Sequence, residues 1–356
     1  MTTWNGMDRM GAEESLYFGR PNTWGQRRSN ILLQQADLVF ALGTRLGVQQ
    51  TGFNWQQFVP VGSVVQVDVD QTELSKGHPH VDVPICGDAD EFLAWLLNNS
   101  SPKVDDWLSH CRDVSDHLPL NEVANSRHEG FAQPYEFTLN LSSRCKETDI
   151  VIPSSSGGSF TAAMQAFEQK SGQLVVTNKS LAAMGYGLSG AIGAAIAGSG
   201  RRTVLMEGDG GFSQNLQELA TVRAQNLPIK IFLHSNLGYA SIRLLQLSYF
   251  DGQYLGCDAD TGLGMPDWPL LFKAYGIPSC EVFDSSLDSP ELLELFNAPG
   301  PAGFIVHVHP EQTYFPKITS RVLPDGGMES NPLHVMDPPL PSEIEGEVFR
   351  FLDLPQ

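Results

Sequence analysis

The chain has 356 residues, of which 41% are hydrophobic, and it carries a formal net charge of −19. This length fits two domains better than one, and the hydrophobic fraction is sufficient for buried cores. The acidic balance argues against nucleic acid and anionic membrane surfaces as partners, because both favour a basic protein surface. Any anion that the protein binds must therefore be held locally, by backbone amides or by a metal ion.

The sequence carries no sign of secretion or membrane insertion. No stretch approaches the roughly 20 apolar residues that a membrane-spanning helix needs. Residues 1–20 lack the basic start and apolar run of a secretory signal. The five cysteines are scattered without a Cys-x-x-Cys pair, which predicts free thiols in a reducing compartment. We therefore expect a cytoplasmic protein.

Helix and strand patterns alternate through the first hundred residues. The segments, in chain order, are QRRSNILLQQA, DLVFALG, SVVQVDVD, VDVPICGD and ADEFLAWLLNN. We predict a helix, three short strands and a closing helix, which together indicate a parallel sheet. With so few strands the sheet is expected to be incomplete, with an unpaired edge and uncovered apolar faces.

The second alternating region predicts a complete doubly wound unit, with helices on both faces of a parallel sheet. The predicted strands are DIVIPS, QLVVTN, RTVLMEGD, IKIFLHS, SCEVF and GFIVHVH. The predicted helices are FTAAMQAFEQK, MGYGLSGAIGAAIAG, SQNLQELATVRAQN, a segment near DWPLLFKAYG, and SPELLELFNA. The fold class is therefore α/β: a doubly wound parallel sheet preceded by a partial Rossmann-like domain.

Four segments follow from these patterns. Residues 1–98 form the partial first domain, and residues 99–130 form a polar linker with some helix. Residues 131–320 form the doubly wound domain. The Pro-rich tail, residues 321–356, is predicted to become helical and to wrap over another part of the protein.

Two turns of the second region lie one crossover unit apart. Asp209 ends the predicted strand RTVLMEGD, and the next strand, IKIFLHS, leads to Asn236. Both residues are therefore expected at the carboxyl edge of the sheet, where open α/β sheets bind ligands. Asp209 offers a carboxylate, Asn236 an amide oxygen, and Gly238 a backbone carbonyl that can approach closely. Three oxygen ligands without sulfur or imidazole suit Mg²⁺.

Gly210 and Gly211 add backbone amides at the start of a helix predicted near Ser213, and such amides bind phosphate. The two turns together thus predict a Mg²⁺–diphosphate cradle. The alternative is two ordinary turns. Either motif alone would favour that alternative, and their crossover spacing in a parallel sheet favours the cradle.

The segment from Gly208 to Arg243, with GDGG, NLQELATVRAQN and SNLGYASIR, resembles the cofactor motif of the thiamine diphosphate enzymes. Within them it resembles most the acetohydroxyacid (acetolactate) synthase large subunits. The family pattern is Gly-Asp-Gly followed by Asn-Asn, and here Ser235 replaces the first Asn whereas Asn236 is kept. The resemblance implies thiamine diphosphate and Mg²⁺ as cofactors, bound by the turns that end at Gly211 and Tyr239.

The resemblance covers nearly the whole chain: residues 1–98 are similar to part of the family's central domain, and residues 131–320 to its diphosphate-binding domain. LAAMGYGLSGAIGAA resembles the segment whose methionine, here Met184, supports the bent shape of the cofactor. A buried core methionine on a helix is the competing interpretation. The loop PSSSGGSF occupies the place where relatives contact the diphosphate, which makes candidates of Ser155, Ser156 and Gly157.

The family order is a pyrimidine-binding, a central and a diphosphate-binding domain, and the first domain and half of the second have no counterpart here. The missing domain supplies a Glu to the aminopyrimidine, and no Glu in this sequence matches it, so no catalytic residue is assigned. Because the family's active site lies between subunits, the resemblance implies a homo-oligomer or a separate chain with the pyrimidine-binding domain. FAD, which some relatives bind in the central domain, is doubtful.

The function implied by the resemblance is a thiamine diphosphate- and Mg²⁺-dependent carboligase that acts on 2-oxo acids and is inactive without a pyrimidine-binding domain. Alternatives are a 2-oxo acid decarboxylase of the same family and a non-catalytic truncated remnant. A dinucleotide-binding protein is disfavoured because no Gly-x-Gly-x-x-Gly follows a first strand.

Two further features are open to more than one interpretation. Tyr239, Ser241 and the segment LLQLSYF are candidates for the substrate pocket, and an amphipathic helix packed on the sheet explains that segment equally well. His307 and His309 are interpreted as core or strand-end residues rather than ligands, because no acidic partner pattern surrounds them.

Overall fold

A computed structural model of the chain describes residues 1–100, 103–154, 156–178 and 181–352. Contacts between Cα atoms divide the chain into two units. The first unit comprises Met1–Thr3, Phe18–Glu122 and the described residues from Phe315 onward, and the second comprises Trp4–Tyr17 and Val123–Tyr314. Among the described residues, no helix combines the length and the apolar character that crossing a membrane requires.

A three-stranded parallel sheet organises the first unit, with strand order β1-β2-β3. Each strand lies within a run that the sequence predicts as a strand. The strands are β1 (Leu38–Leu42), β2 (Ser63–Asp68) and β3 (Val83–Cys86). The helices of this part of the chain are α1 (Arg27–Gln35), α2 (Val48–Thr51), α3 (Gln71–Ser75), α4 (Ala89–Asn99) and α5 (Asp105–His117). A short 3₁₀ turn occupies Trp55–Gln57, and another, Met7–Arg9, belongs to the second unit.

One face of this sheet is buried and the other is largely open. Ala41 of β1 packs in a core with Leu33 of α1, whereas Leu38 and Phe40, which alternate with Ala41 along the strand, are exposed. Helix α4 meets the open face through Phe92, whose ring centroid lies 5.9 Å from that of Phe40. The prediction of an incompletely covered apolar face is confirmed for the described residues of this unit.

The second unit is a six-stranded, all-parallel sheet with strand order β5-β4-β6-β7-β9-β8. It confirms the predicted doubly wound α/β class. The strands are β4 (Ile150–Pro153), β5 (Leu174–Val175), β6 (Thr203–Gly208), β7 (Ile229–Ser235), β8 (Ser279–Val282) and β9 (Ala302–His307). The helices are α6 (Pro134–Arg144), α7 (Gly157–Ala166), α8 (Tyr186–Ala197), α9 (Asp209–Phe212), α10 (Leu219–Ala224), α11 (Ala240–Tyr249), α12 (Trp268–Ala274) and α13 (Pro290–Asn297). Two 3₁₀ turns, Leu216–Glu218 and Ala259–Thr261, complete it.

Helices cover both faces of this sheet, and each face has its own core. Phe232 of β7 packs with Phe137 of α6 and Phe160 of α7 on one face. Its neighbour Leu233 packs with Leu188 of α8 on the other face. Every residue of β7 is buried, as expected of a central strand of a parallel sheet. The carboxyl ends of β6 and β7 are thereby held firmly side by side.

The prediction of a helix that begins near Ser213 is wrong. The chain turns helical already at Asp209, and this helix, α9, ends at Phe212. Helix α10 begins only at Leu219. The Ser213 hydroxyl donates to the Gly210 carbonyl at 2.8 Å, and short polar side chains that bond the local backbone compete with helix continuation. The predicted long helix is therefore broken at its polar start.

The tail belongs to the first unit and packs on its cores. After Tyr314 it forms an antiparallel pair, β10 (Ser320–Val322) and β11 (Met328–Ser330), and then α14 (Ser342–Val348). Leu333 is buried in the core that contains Leu33, and Val348 is buried with Ile31 of α1. These apolar contacts place the unit boundary at Tyr314, six residues before the predicted boundary at 320.

Candidate functional site

The two predicted turns meet at the carboxyl edge of the six-stranded sheet. Gly208, the last residue of β6, lies in register with His234 of β7. Asp209 follows at once in α9, and Asn236 follows the end of β7. The crossover between these neighbouring parallel strands thus brings Asp209 and Asn236 together, as their spacing predicts.

The carboxylate of Asp209 is the centre of this arrangement. Its Oδ1 accepts a hydrogen bond from the Gly210 amide at 2.8 Å. Its Oδ2 accepts bonds from the amides of Asn236 at 3.0 Å and Gly238 at 3.3 Å. The side chain is buried, and this desolvation raises its pKa to about 6, although the amides act in the opposite direction. A nearby cation would offset the cost of the buried charge.

The side chain of Asn236 fits a metal ligand. Its Oδ1 is buried and has no hydrogen-bond partner among the described residues. A buried oxygen of this kind normally has a partner, and a bound metal ion would serve as one. The Gly238 carbonyl oxygen lies 3.6 Å from the position that a Cβ atom on Gly210 would take, so it also faces the turn. Carboxylate, amide and carbonyl oxygens form the ligand set that Mg²⁺ prefers.

Histidine and cysteine play no part in this set. In the described ranges no group of three or more His, Cys, Asp and Glu side chains could hold a metal ion. A metal at the turns would therefore depend on the mixed set of one carboxylate, one amide oxygen and one backbone carbonyl. The five cysteines are free thiols, as the sequence predicts.

The ring of Tyr239 packs against the glycine turn at Gly210. A Cβ atom on Gly210 would lie 2.3 Å from Cδ1 of the tyrosine ring, so only glycine is compatible with this contact. The Tyr239 hydroxyl accepts a hydrogen bond from Nε2 of Gln214 at 2.9 Å. Gly238 has a φ of 136°, and a Cβ atom there would lie 2.3 Å from the Cys257 carbonyl oxygen. The backbone of both turns therefore depends on glycine.

The first turn of α7 forms a second wall of the site. The helix begins at Gly157 with Ser156 as its N-cap, and Ser155 lies outside the described residues. A Cβ atom on Gly208 would lie 3.8 Å from the Ser159 hydroxyl, and one on Gly157 would lie 3.8 Å from the Ser241 hydroxyl. The predicted residue Gly157 is thus close to the start of α11, and the first turn of α7 approaches the end of β6 through Ser159.

Glu207 is a buried residue of β6 that the sequence analysis missed. Desolvation raises its pKa to about 8, and the amides of Gly187 and Leu188 in the first turn of α8 lower it in part. A Cβ atom on Gly211 would lie 3.0 Å from its Oε1. The carboxyl group therefore links the glycine turn to the start of α8. A charged residue inside the apolar run RTVLMEGD was the available signal.

Met184 lies in the turn just before α8, and 48% of its surface is exposed. The alternative of a buried core methionine is therefore wrong. Its neighbour Gly185 approaches the glycine turn, since a Cβ atom there would lie 3.1 Å from Cβ of Gln214. An exposed methionine beside this turn is compatible with a contact to a bound ligand.

The segment LLQLSYF covers the last six residues of α11 and its C-cap, Phe250, and the alternative interpretation as an amphipathic helix packed on the sheet is wrong. In α11 only Ala240 is buried. The exposed apolar side chains of this segment are Leu244, Leu245, Leu247, Tyr249 and Phe250. A row of exposed apolar side chains next to the cradle is a feature of binding surfaces.

The prediction that both histidines lack an acidic partner is wrong for His307. His307 is the last residue of β9, and its Nε2 lies 2.9 Å from Oε1 of Glu281, so it does have an acidic partner. The sequence did not show this partner because Glu281 belongs to β8, the neighbouring strand. His309 lies beyond the strand and stacks on His128 with ring centroids 3.7 Å apart. Both remain strand-end residues.

Family models match both parts of the chain. Residues 156–306 match the C-terminal TPP binding domain of the thiamine pyrophosphate enzymes. Residues 1–96 match the central domain of the same enzymes. The first match begins at the N-cap of α7 and includes both turns and all of α8 and α11.

Sequence comparison finds relatives that match most of this chain. The chain is 28% identical to the acetolactate synthase isozyme 1 large subunit of Escherichia coli, over 85% of this chain and 52% of the relative. It is 29% identical to the isozyme 2 large subunit, over 86% and 54%, respectively. It is 30% identical to acetolactate synthase 2 of Brassica napus, over 77% and 43%. The chain thus spans about half the length of these curated relatives.

Proposed function

This chain belongs to the thiamine pyrophosphate enzyme family, and from this premise we propose that its two turns bind thiamine diphosphate together with Mg²⁺. One observation carries the metal part of the proposal: the buried Asn236 Oδ1 has no partner in the described residues and stands beside the buried Asp209 carboxylate. Asp209, Asn236 and the Gly238 carbonyl would hold the ion. Its positive charge would allow an acidic protein to bind a diphosphate.

The diphosphate would lie between the glycine turn and the first turn of α7. The backbone amide of Gly157 and the Ser156 hydroxyl, which makes no capping hydrogen bond, would be the donors there, without a charged side chain. On the opposite side of the diphosphate, Gly208, Gly210 and Gly211 have no side chains that would occupy its space. Ser155 remains a candidate from the sequence alone.

When bound, thiamine diphosphate supplies a nucleophilic carbon and an electron sink for the cleavage of 2-oxo acids. This chain's residues would contribute binding and orientation. Met184 would support the bent cofactor. Tyr239 would form one side of the turn, because Gln214 holds its hydroxyl in place by a hydrogen bond. No residue of this chain is assigned a proton-transfer role in the reaction.

We propose an acetolactate synthase-like carboligase reaction, because all three relatives described above are named acetolactate synthases. The substrate would be a small 2-oxo acid. The activity would require a pyrimidine-binding domain, provided by a homo-oligomer or by a separate chain, in the cytoplasm. The exposed apolar row of α11 supports this requirement, because it leaves a surface beside the cradle for another domain to cover.

Calorimetric titration of the chain with thiamine diphosphate, with and without Mg²⁺, tests the binding proposal. We expect measurable binding only with Mg²⁺, and Asp209→Ala should abolish it. Equal affinity with and without Mg²⁺ would refute the metal site. Product analysis with pyruvate, after a pyrimidine-binding domain is supplied, distinguishes acetolactate from acetaldehyde and thus a carboligase from a decarboxylase.

A further inference from the structure

Tyr314 lies directly against the first turn of α7. A Cβ atom on Gly158 would lie 2.1 Å from Cζ and 2.3 Å from the hydroxyl oxygen of the tyrosine. The hydroxyl end of the ring, rather than its apolar edge, therefore rests on the backbone of this turn. Only a glycine at position 158 allows so close an approach.

The electrostatic surroundings of this hydroxyl favour its neutral form. Burial raises the pKa of the Tyr314 hydroxyl well above its ordinary value, and the charge of Asp209 raises it further. The phenol thus remains neutral throughout the physiological range and keeps its proton for donation. Nothing in the described ranges accepts a hydrogen bond from it.

A neighbouring tyrosine shows the contrast. Tyr135 of α6 has its ring centroid 6.2 Å from that of Tyr314. Its hydroxyl donates to Oε1 of Gln165 at 2.6 Å, and its side chain is completely buried. The hydroxyl of Tyr135 is therefore used within the fold, whereas that of Tyr314 is directed to the turn.

The one basic side chain of α11, Arg243, is engaged within the fold. Arg243 donates to the Pro310 carbonyl at 2.6 Å and lies 3.5 Å from a carboxylate oxygen of Asp258. Its contacts instead anchor the loop between β9 and Tyr314. A diphosphate at the first turn of α7 would consequently be bound through neutral donors, and a phenol that lies against Gly158 is well placed to be one of them.

We propose that the hydroxyl of Tyr314 donates a hydrogen bond to an oxygen of the bound diphosphate, at the first turn of α7. This inference rests on the proposed function, since it requires that the diphosphate occupy the cradle. It adds to the site a residue that follows the end of β9 and lies more than 150 residues beyond Gly158 in the sequence.

The test is Tyr314→Phe, which keeps the ring against Gly158 and removes only the hydroxyl. Calorimetric titration uses thiamine diphosphate with Mg²⁺ and, separately, inorganic pyrophosphate with Mg²⁺. We expect both affinities to fall by roughly 10-fold or more, the usual effect of losing a hydrogen bond to a charged group. Tyr135→Phe is the matched control and should leave both affinities unchanged.

The outcomes separate this inference from the function on which it rests. If the unmodified chain binds neither ligand, the proposed function fails. If it binds both and Tyr314→Phe binds them equally well, the inference alone is overturned. A loss confined to thiamine diphosphate also overturns it, because a bond to the diphosphate must appear with pyrophosphate. Thermal unfolding of both variants confirms that each compared protein is folded.

Discussion

The backbone amide of Asn236 donates to the carboxylate of Asp209 at 3.0 Å, across 27 residues of chain. The same carboxylate accepts from Gly210 and Gly238, so it organises both turns before any ligand is present. Asp209 therefore has two separable properties, three backbone hydrogen bonds and one negative charge. The first concerns stability and the second concerns metal binding.

Substitution of Asp209 separates these two properties. Asp209→Ala leaves three amides without their acceptor and should lower the free energy of unfolding by about 2–4 kcal/mol. Asp209→Asn retains one acceptor oxygen and should cost less, yet it removes the charge. We expect both variants to lose Mg²⁺-dependent binding of thiamine diphosphate. Denaturant unfolding and calorimetry measure the two effects, and full Mg²⁺-dependent binding by Asp209→Asn would contradict the metal site.

Met184→Ala tests the proposed cofactor contact. Because 48% of the side chain is exposed, its truncation should change the free energy of unfolding by less than about 1 kcal/mol. Turnover per folded molecule of a complete enzyme should nevertheless fall. Met164 of α7 is completely buried, and Met164→Ala should instead cost about 2–5 kcal/mol of stability.

The comparison of these two methionines gives the control. If Met184→Ala unfolds as easily as Met164→Ala while its turnover per folded molecule is unchanged, Met184 is a packing residue. Thermal unfolding and steady-state kinetics on the same preparations decide between the two roles.

Glu207 should make stability depend on pH. Its pKa is about 8 in the folded chain against 4.5 in the unfolded chain, because burial disfavours the charged form. Below pH 4.5 the carboxyl group of Glu207 is protonated in both states, so its burial does not yet lower the free energy of unfolding. As pH rises from 4.5 to 8, only the unfolded chain loses the proton, so stability falls by on the order of 5 kcal/mol.

Glu207→Gln removes this titration and keeps a neutral side chain of the same size. Urea unfolding at pH 5 and at pH 8.5 should show a smaller decrease for the variant than for the original chain. Other groups titrate in both proteins, so the difference isolates Glu207. The same decrease in both proteins would show that this carboxyl group is not the source.

A polypeptide of these 356 residues should show no measurable turnover of pyruvate or other 2-oxo acids. The resemblance assigns activation of the cofactor to a Glu in the pyrimidine-binding domain, and such a general acid–base group contributes about 10²–10⁴-fold in rate. Loss of the positioning contact lowers the rate further. Addition of that domain, as a separate chain or as upstream sequence, should produce activity. Robust decarboxylation by the polypeptide alone would show that an acidic residue had been overlooked.

The sequence by itself determined the elements that carry the site. The runs RTVLMEGD and IKIFLHS are apolar enough to identify buried strands, and one crossover between them requires Asp209 and Asn236 to end at one edge. The glycine turns follow from the same local pattern. These features are predictable because they depend on periodicity, chain polarity and residue chemistry over about 30 neighbouring residues.

Only the tertiary structure decided what surrounds that edge. Tyr314 reaches Gly158 from a loop after β9, and Glu207 meets the first turn of α8, although nothing in either local pattern specifies these partners. Leu333 likewise joins the first unit's core from the tail. Contacts of this kind arise from packing between residues that are distant in the chain. Their stability depends on both partners together, so the local sequence around either partner does not predict the contact.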